Sequence, residues 1–259
     1  MPPETEEGQP TVVFRKVYPA AIPPMRADKS ALGTLPMMAF RHCEPVRAAS
    51  SFGWYVFPPE DITLKFNGAD VLILENGEWR PLLQAHLPGF GAYWDAHAPA
   101  AMQGMAPPHV TLLPVPGMVQ IWSGFLCSSM EGWSVLVRPI ANTRGSHLYM
   151  PYEGIVESDR FKPFPLFINI QLVATDVAIE FRKIQPLFQV QPLMRETYGD
   201  RAHASRDESG LGAQEGDDPM TAQDWAGFRK AVRIEASDDA PPESGQYTVA
   251  TRKRGKHEQ

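Results

Sequence analysis

Three carboxylates fall within seven consecutive residues: Glu153, Glu157 and Asp159. A carboxylate in such a cluster can activate a water or hold Mg²⁺ for diphosphate hydrolysis. That chemistry also needs cations or amide donors at the phosphates. Arg138, a little upstream, and Arg160, directly after Asp159, are of the right type. Glu157 is therefore the candidate catalytic residue, and Arg138 and Arg160 are candidate ligand-binding cations. The same residues also read, with no chemistry at all, as an exposed acidic turn between two strands.

Two other groupings invite a metal. His42-Cys43-Glu44 and Asp95-Ala96-His97, with His86 between them, contain the ingredients of a two-histidine, one-carboxylate site, as in a metal-dependent tailoring enzyme. The HxH pattern of cupins with a downstream Glu is absent. Seven histidines scattered over the chain define no ligand set, so no metal residue is expected. Ser50-Ser51, Ser128-Ser129 and Cys127 are nucleophiles by type, but no GxSxG elbow surrounds a serine, and turn or cap roles are expected. Arg47, Trp54, Tyr55, Trp79 and Trp133 have the chemistry of a recognition surface, since aromatics and Arg concentrate there and can stack a base or a side chain. They serve equally well as packing on alternate strand faces.

These residues have to be carried by short strands. Ile62, Leu64 and Phe66 alternate with Thr63 and Lys65, the period of a half-buried strand. Asn67-Gly68 and Asn76-Gly77 follow at hairpin spacing. Asn-Gly supplies the two positive-φ positions of a type I′ turn, so a meander is predicted. Thr11 to Tyr18, Met118 to Phe125 and Trp133 to Val137 are further strands, the last two joined by a turn over Ser128 to Gly132. Phe164–Val173, Val177–Phe181 and Leu187–Leu193 complete the set. Pro139 and Pro192 place strand ends or edges there. Edges need cover, which favours an oligomer or a docking rail. Ala20 to Met37 is broken by Pro and reads as irregular. Residues 84–110 read as a long loop insert with a helical turn near Ala92 to His97, a length that is uncommon unless the loop is functional or covers something. Thr221 to Arg233 reads as a short amphipathic helix with Trp225, Phe228 and Val232 on one face and a capping box from Thr221 and Asp224.

The composition is globular: 43% hydrophobic and 21% charged in 259 residues, with Pro (26) and Gly (20) in excess. So much Pro suits short strands and turns better than long helices. A net charge of −6 excludes general nucleic-acid binding, which needs a basic face. The only cationic cluster, Arg252, Lys253, Arg254 and Lys256, reads as a solvated terminus. Cys43 and Cys127 form no CxxC pair; they are buried free thiols of a reducing compartment or one disulfide of an exported protein. Neither a signal peptide nor an apolar run of roughly 20 residues is present, so a cytoplasmic protein without a membrane segment is expected.

The order of these segments resembles the trimeric dUTPase and dCTP deaminase family. The stretch Ala49 to Tyr55, then Pro59-Glu60-Asp61-Ile62, is similar to a small-residue turn before that family's Tyr-containing strand. Val135-Leu136-Val137-Arg138 is similar to its strand ending in Arg, with Pro139 and Ile140 in place of the phosphate-holding hydroxyl residues. Gly154-Ile155-Val156-Glu157 resembles its Gly-Val-Ile-Asp turn, with Glu157 in place of the water-activating Asp. Arg160 stands where a sugar-discriminating aromatic would be. Gln189 lies on an apolar strand like the Gln of a later motif, whose Gly-Asp pair is missing. The text around Cys43 to Ile62 and Tyr152 to Phe161 also resembles an uncharacterised bacterial family, a domain of unknown function, which implies no activity.

Together these features predict a mainly β protein with a β-clip-like (dUTPase-like) distorted barrel of short antiparallel strands, a long loop insert and a short C-terminal helix. The expected organisation is disorder over 1–10, one β domain over 11–198, a linker over 199–220, a helix over 221–233 and a disordered tail over 234–259. The expected function is non-catalytic binding on a dUTPase-like scaffold, of a small molecule, nucleotide or peptide, with Arg138, Arg160, Gln189 and Tyr55 as ligand-binding residues. A divergent nucleotide diphosphohydrolase or deaminase using Glu157 and Mg²⁺ is the main alternative, with the metal-dependent tailoring enzyme a further one. The resemblance implies a homotrimer.

Overall fold

The computed structural model describes residues 9–203, 220–232, 251 and 253–254; most of the expected linker and most of both expected disordered ends lie outside them, and the described start of the linker, Asp200–His203, is a 3-10 turn. In chain order the strands are β1 (Val12–Lys16), β2 (Met25–Arg26), β3 (Trp54–Val56), β4 (Ile62–Phe66), β5 (Val71–Glu75), β6 (Glu78–Pro81), β7 (Gln84–Ala85), β8 (Val110–Leu112), β9 (Met118–Ser129), β10 (Trp133–Arg138), β11 (Tyr149–Pro151), β12 (Gly154–Val156), β13 (Phe164–Leu172), β14 (Ile179–Phe181) and β15 (Phe188–Met194). The helices are α1 (Met37–His42), α2 (Glu44–Ser51), α3 (Phe90–His97) and α4 (Ala222–Val232).

The strands form three antiparallel sheets rather than a closed barrel, which corrects the barrel expectation. One has the order β11-β13-β9-β8-β7, with β1 also on β9; the second is β12-β10-β15-β3-β2; the third is β14-β4-β5-β6. Pairing stops at the outer strands: β11 and β7, β12 and β2, and β14 and β6 have no further ladder partner among the described residues, so no sheet closes on itself.

Alternation builds the core. Phe164, Leu166, Ile168, Ile170 and Leu172 of β13 are all buried while the residues between them are not. Each such Ile or Leu contributes roughly 1.5–3 kcal/mol of burial. A one-residue slip would turn the whole row to water, so the register is strongly held. The two Asn-Gly pairs behave differently. Asn76 (φ 52°) and Gly77 (φ 80°) are both left-handed between β5 and β6, the expected type I′ turn. At the first pair only Gly68 is left-handed; Asn67 instead accepts at Oδ1 from the amides of Ala69 and Asp70 and makes a wider loop.

Other expectations are corrected. Residues 84–110 are not a structureless loop: β7 pairs with β8, and α3 packs its buried Phe90 into the core between them. α1 and α2 occupy Met37 to Ser51, which periodicity did not reveal. β9 runs on to Ser129 because β1 and β13 flank it there. Pro192 sits in a central strand, yet β3 pairs only with Phe188 to Val190, so the missing N–H costs no ladder bond. The α4 helix starts with the capping box, Thr221 N–H donating to Asp224 at 2.7 Å and Asp224 N–H to Thr221 Oγ1 at 3.2 Å. No helix among the described residues is long and apolar enough to cross a membrane.

Candidate functional site

The start of β10, the end of β12 and the end of β15 meet at one edge of the second sheet, because Val135 is opposite Val156 and Trp133 is opposite Met194. Three turns converge there. Glu131, Gly132, Trp133, Asp159, Arg160, Lys162, Met194, Arg195 and Glu196 line an open cleft of about 560 Å³. Its floor is an ion-pair network. Arg195 contacts Asp159 through Nη2 and lies 3.4 Å from Glu157 through Nη1. Asp159 also accepts from Gly132 N–H at 2.9 Å, and its side chain is only 4% exposed. Arg160 donates to Glu157 at 2.9 Å and is otherwise open to solvent.

The predicted site residues are divided between two ends of β10. Arg138 is five residues beyond Trp133, roughly 17 Å along the strand at the usual rise. There it pairs with Glu153 at 3.3 Å, not with Glu157 or Arg160. Glu157 is flanked by two guanidiniums, so its charge is already answered. Gly154 shows no left-handed φ, and a Cβ there would meet nothing within 4 Å. The Gly of the Gly-Ile-Val-Glu turn is thus not demanded by its own backbone.

Gln189 and Tyr55 are opposite one another on β15 and β3, and both are buried. The Gln189 carbonyl accepts from Ala141 N–H at 2.9 Å; its NH₂ donates to the carbonyls of Phe52 at 2.7 Å and Ser50 at 3.2 Å. One amide thereby ties the loop after β10 to the end of α2. Asn142, held left-handed at φ 60°, adds a donor to Val46 O at 3.0 Å and to Ser50 Oγ at 3.0 Å. The Tyr55 hydroxyl donates to Asp28 at 3.2 Å, and burial, with the nearby Asp28 charge, pushes it up to about 12. Both side chains spend their polar atoms on the fold.

The remaining candidates are placed likewise. His97 stacks on Tyr93 with centroids 4.3 Å apart and bonds Tyr93 O through Nδ1 at 2.8 Å. Asp95 accepts from Gly104 N–H at 2.7 Å. Among the described residues no three His, Cys, Asp or Glu groups are arranged to hold a metal ion. Ser129 donates to Trp133 O at 2.8 Å and meets Ser158 at 2.7 Å, while Ser50 donates to Val46 O at 2.8 Å. Arg47 pairs with Glu44 at 2.6 Å and lies over Phe40; Trp54 packs edge-on to Phe14 under Arg26; Trp79 lies under Lys65. Cys43 and Cys127 are both free thiols, and burial pushes Cys127 up to about 12.

Arg195 and Lys162 escaped sequence reasoning. Arg195 follows β15 with no local pattern around it; only the β10–β15 register brings it to Asp159.

Fold and cleft define an antiparallel, mainly β protein with a charged surface cleft at a sheet edge. No family model and no curated protein matches the chain. Among solved structures it is similar to a mutant dUTPase from phage phi11 of S. aureus, at 11% identity and TM-score 0.37 over 71% of this chain and 91% of that one. A mutant Staphylococcus bacteriophage 80alpha dUTPase with dUpNHpp gives 10% and 0.37 over 82% and 100%. A second 80alpha dUTPase mutant gives 10% and 0.35 over 82% and 97%. The likeness is a distant one of fold and says nothing about chemistry.

Proposed function

We propose that this chain is a non-catalytic binding protein on a dUTPase-like scaffold, with its ligand site in the cleft of Trp133, Arg160 and Lys162. One observation carries the reading: Glu157, the candidate for activating water, is ion-paired with Arg160 and Arg195, while Arg138 is engaged with Glu153 at the far end of β10. A hydrolase of nucleoside triphosphates needs a free carboxylate and its phosphate-binding cations in one place. The cleft offers instead Arg160 and Lys162 beside Glu131 and Glu196, next to the half-buried Trp133. That mixture suits a small ligand carrying both signs of charge, such as a peptide end.

Incubation of the purified chain with dUTP or dCTP and Mg²⁺ tests this, with product formation followed at saturating substrate. The expected result is no turnover near the usual ~10 s⁻¹ of enzymes. Turnover at that rate, abolished by Glu157→Gln, would establish the diphosphohydrolase or deaminase alternative, and its loss on adding EDTA would establish the need for Mg²⁺.

We further propose the homotrimer that the sequence resemblance implies, in a cytoplasmic setting that keeps Cys43 and Cys127 reduced. In its support, the edge strands β11 and β12 leave Met150 and Ile155 each 47% exposed. A solution mass equal to one chain at micromolar concentration would overturn it.

A further inference from the structure

A second, larger cleft of about 880 Å³ lies on another part of the molecule, lined by residues of the β4, β5 and β14 ends, the segment after β7 and His109. His109 is 7% exposed, yet it lines this opening. Its ring is held in one orientation: Nδ1 lies 2.9 Å from the carbonyl of Ala85, and its own backbone N–H donates to that carbonyl too, also at 2.9 Å. A carbonyl can only accept, so the proton of the neutral ring sits on Nδ1 and Nε2 presents a lone pair. Nε2 has no partner among the described residues. Burial, only partly offset by the Ala85 bond, holds His109 down to about 4, so the ring is neutral at physiological pH.

Glu60 lines the same cleft as His109, and its charge favours the protonated ring. One of its oxygens, Oε1, receives both the Tyr18 hydroxyl at 2.8 Å and the Lys183 ammonium at 3.0 Å. Its other oxygen has no partner among the described residues. Asp61 accepts from Lys183 N–H at 2.7 Å and lies 3.7 Å from Arg182. Glu75 lines the cleft and makes no ion pair among the described residues. Both cations of the cleft are thus already engaged by carboxylates, while a buried imidazole nitrogen, a carboxylate oxygen and Glu75 remain as acceptors. Ile73, Leu74 and Ile184 supply apolar wall.

We propose that this cleft is a binding site for a small organic amine, whose ammonium donates to Nε2 of His109 and to the second carboxylate oxygen of Glu60. An ammonium brings three donors and a positive charge, and these match the unpaired acceptors and the surplus carboxylate. An anion would meet Glu60, Asp61 and Glu75 with no free cation. A diol would answer the acceptors but leave the carboxylate charge unmatched. The site is independent of the cleft at Trp133 and stands or falls separately from it.

Calorimetric titration of the full chain with putrescine, against butanediol and succinate, tests the assignment. Putrescine is expected to bind at least about tenfold more tightly than butanediol, and Glu60→Gln to weaken it by about tenfold. The ¹⁵N resonance of His109 Nε2 in the unmutated chain is expected to shift during the titration, which needs no variant to fold. Equal affinity for butanediol, preference for succinate, or absence of both heat and a His109 shift at millimolar putrescine would each overturn the proposal.

Discussion

Arg195 holds Glu157 at 3.4 Å with one nitrogen while the other nitrogen of the same guanidinium is closed on Asp159. The end of β15 is thereby bolted to the turn after β12, and the Glu157 carboxylate is part of a structural network. Arg195 is 19% exposed and Asp159 4%, so the pair is shielded from water. Arg195→Met leaves a buried carboxylate uncompensated and is expected to cost about 3 kcal/mol in urea unfolding. Arg160→Met removes a side chain that is 68% exposed and is expected to change stability by less than about 0.5 kcal/mol. Equal effects of the two would show that Arg195 is not the bolt.

Gln189 separates a ligand-binding role from a structural one. Gln189→Leu orphans the N–H of Ala141 and the carbonyls of Ser50 and Phe52, and is expected to lower stability by about 3 kcal/mol. Gln189→Glu keeps the acceptor but loses both donors, so it too is expected to destabilise. A stable Leu variant with altered binding would mean that the amide serves a ligand instead.

His109 gives stability a defined acid limb. The folded value of about 4 lies below the ordinary 6.5, so between them the unfolded chain binds the extra proton. Its contribution is complete above the unfolded value and is lost as pH falls towards the folded one. The loss amounts to about 3 kcal/mol at 1.36 kcal/mol per unit. Glu60, which favours the charged ring, and His86, which opposes it, are the charges acting on it. Denaturant midpoints between pH 7 and 4 are expected to fall, and His109→Phe to flatten that limb.

The two thiols are expected to react at different rates. Cys127 is fully buried and its thiol is pushed up to about 12, so native protein gives almost no thiolate there; Cys43 is half-buried. Labelling with a disulfide reagent at pH 8 is expected to modify Cys43 first, and Cys127 only on unfolding. Simultaneous labelling would contradict the burial of β9.

Gly53 and Gly154 form a matched pair. A Cβ on Gly53, at φ 100°, would lie 1.9 Å from the carbonyl oxygen of Val190, whereas one on Gly154 meets nothing. Gly53→Ala is expected to cost more than about 3 kcal/mol and Gly154→Ala less than about 0.5 kcal/mol. Thermal unfolding of the two variants side by side measures the difference.

Much of the strand inventory was legible because burial on one face writes itself as alternation. Ile62, Leu64 and Phe66, and the row from Phe164 to Leu172, needed nothing beyond period two. Asn76-Gly77 was legible for its backbone preference; Asn67-Gly68 carries the same letters, but its side chain found the amides of Ala69 and Asp70 instead. α1 and α2 were not legible, since Met37 to Ser51 shows no clean apolar stripe and only Ser50 is buried there.

Local patterning by itself determined that the chain is mainly β and where several of its strands and the Asn76-Gly77 turn fall. Tertiary structure alone decided the roles of the polar side chains, because an ion pair or an amide bond across strands depends on register, which the residues on one strand do not encode. That is why Arg138 went to Glu153 and Glu157 to Arg195, why Gln189 spends its amide on three backbone groups, and why His109, with no motif around it, lines one cleft with Glu60.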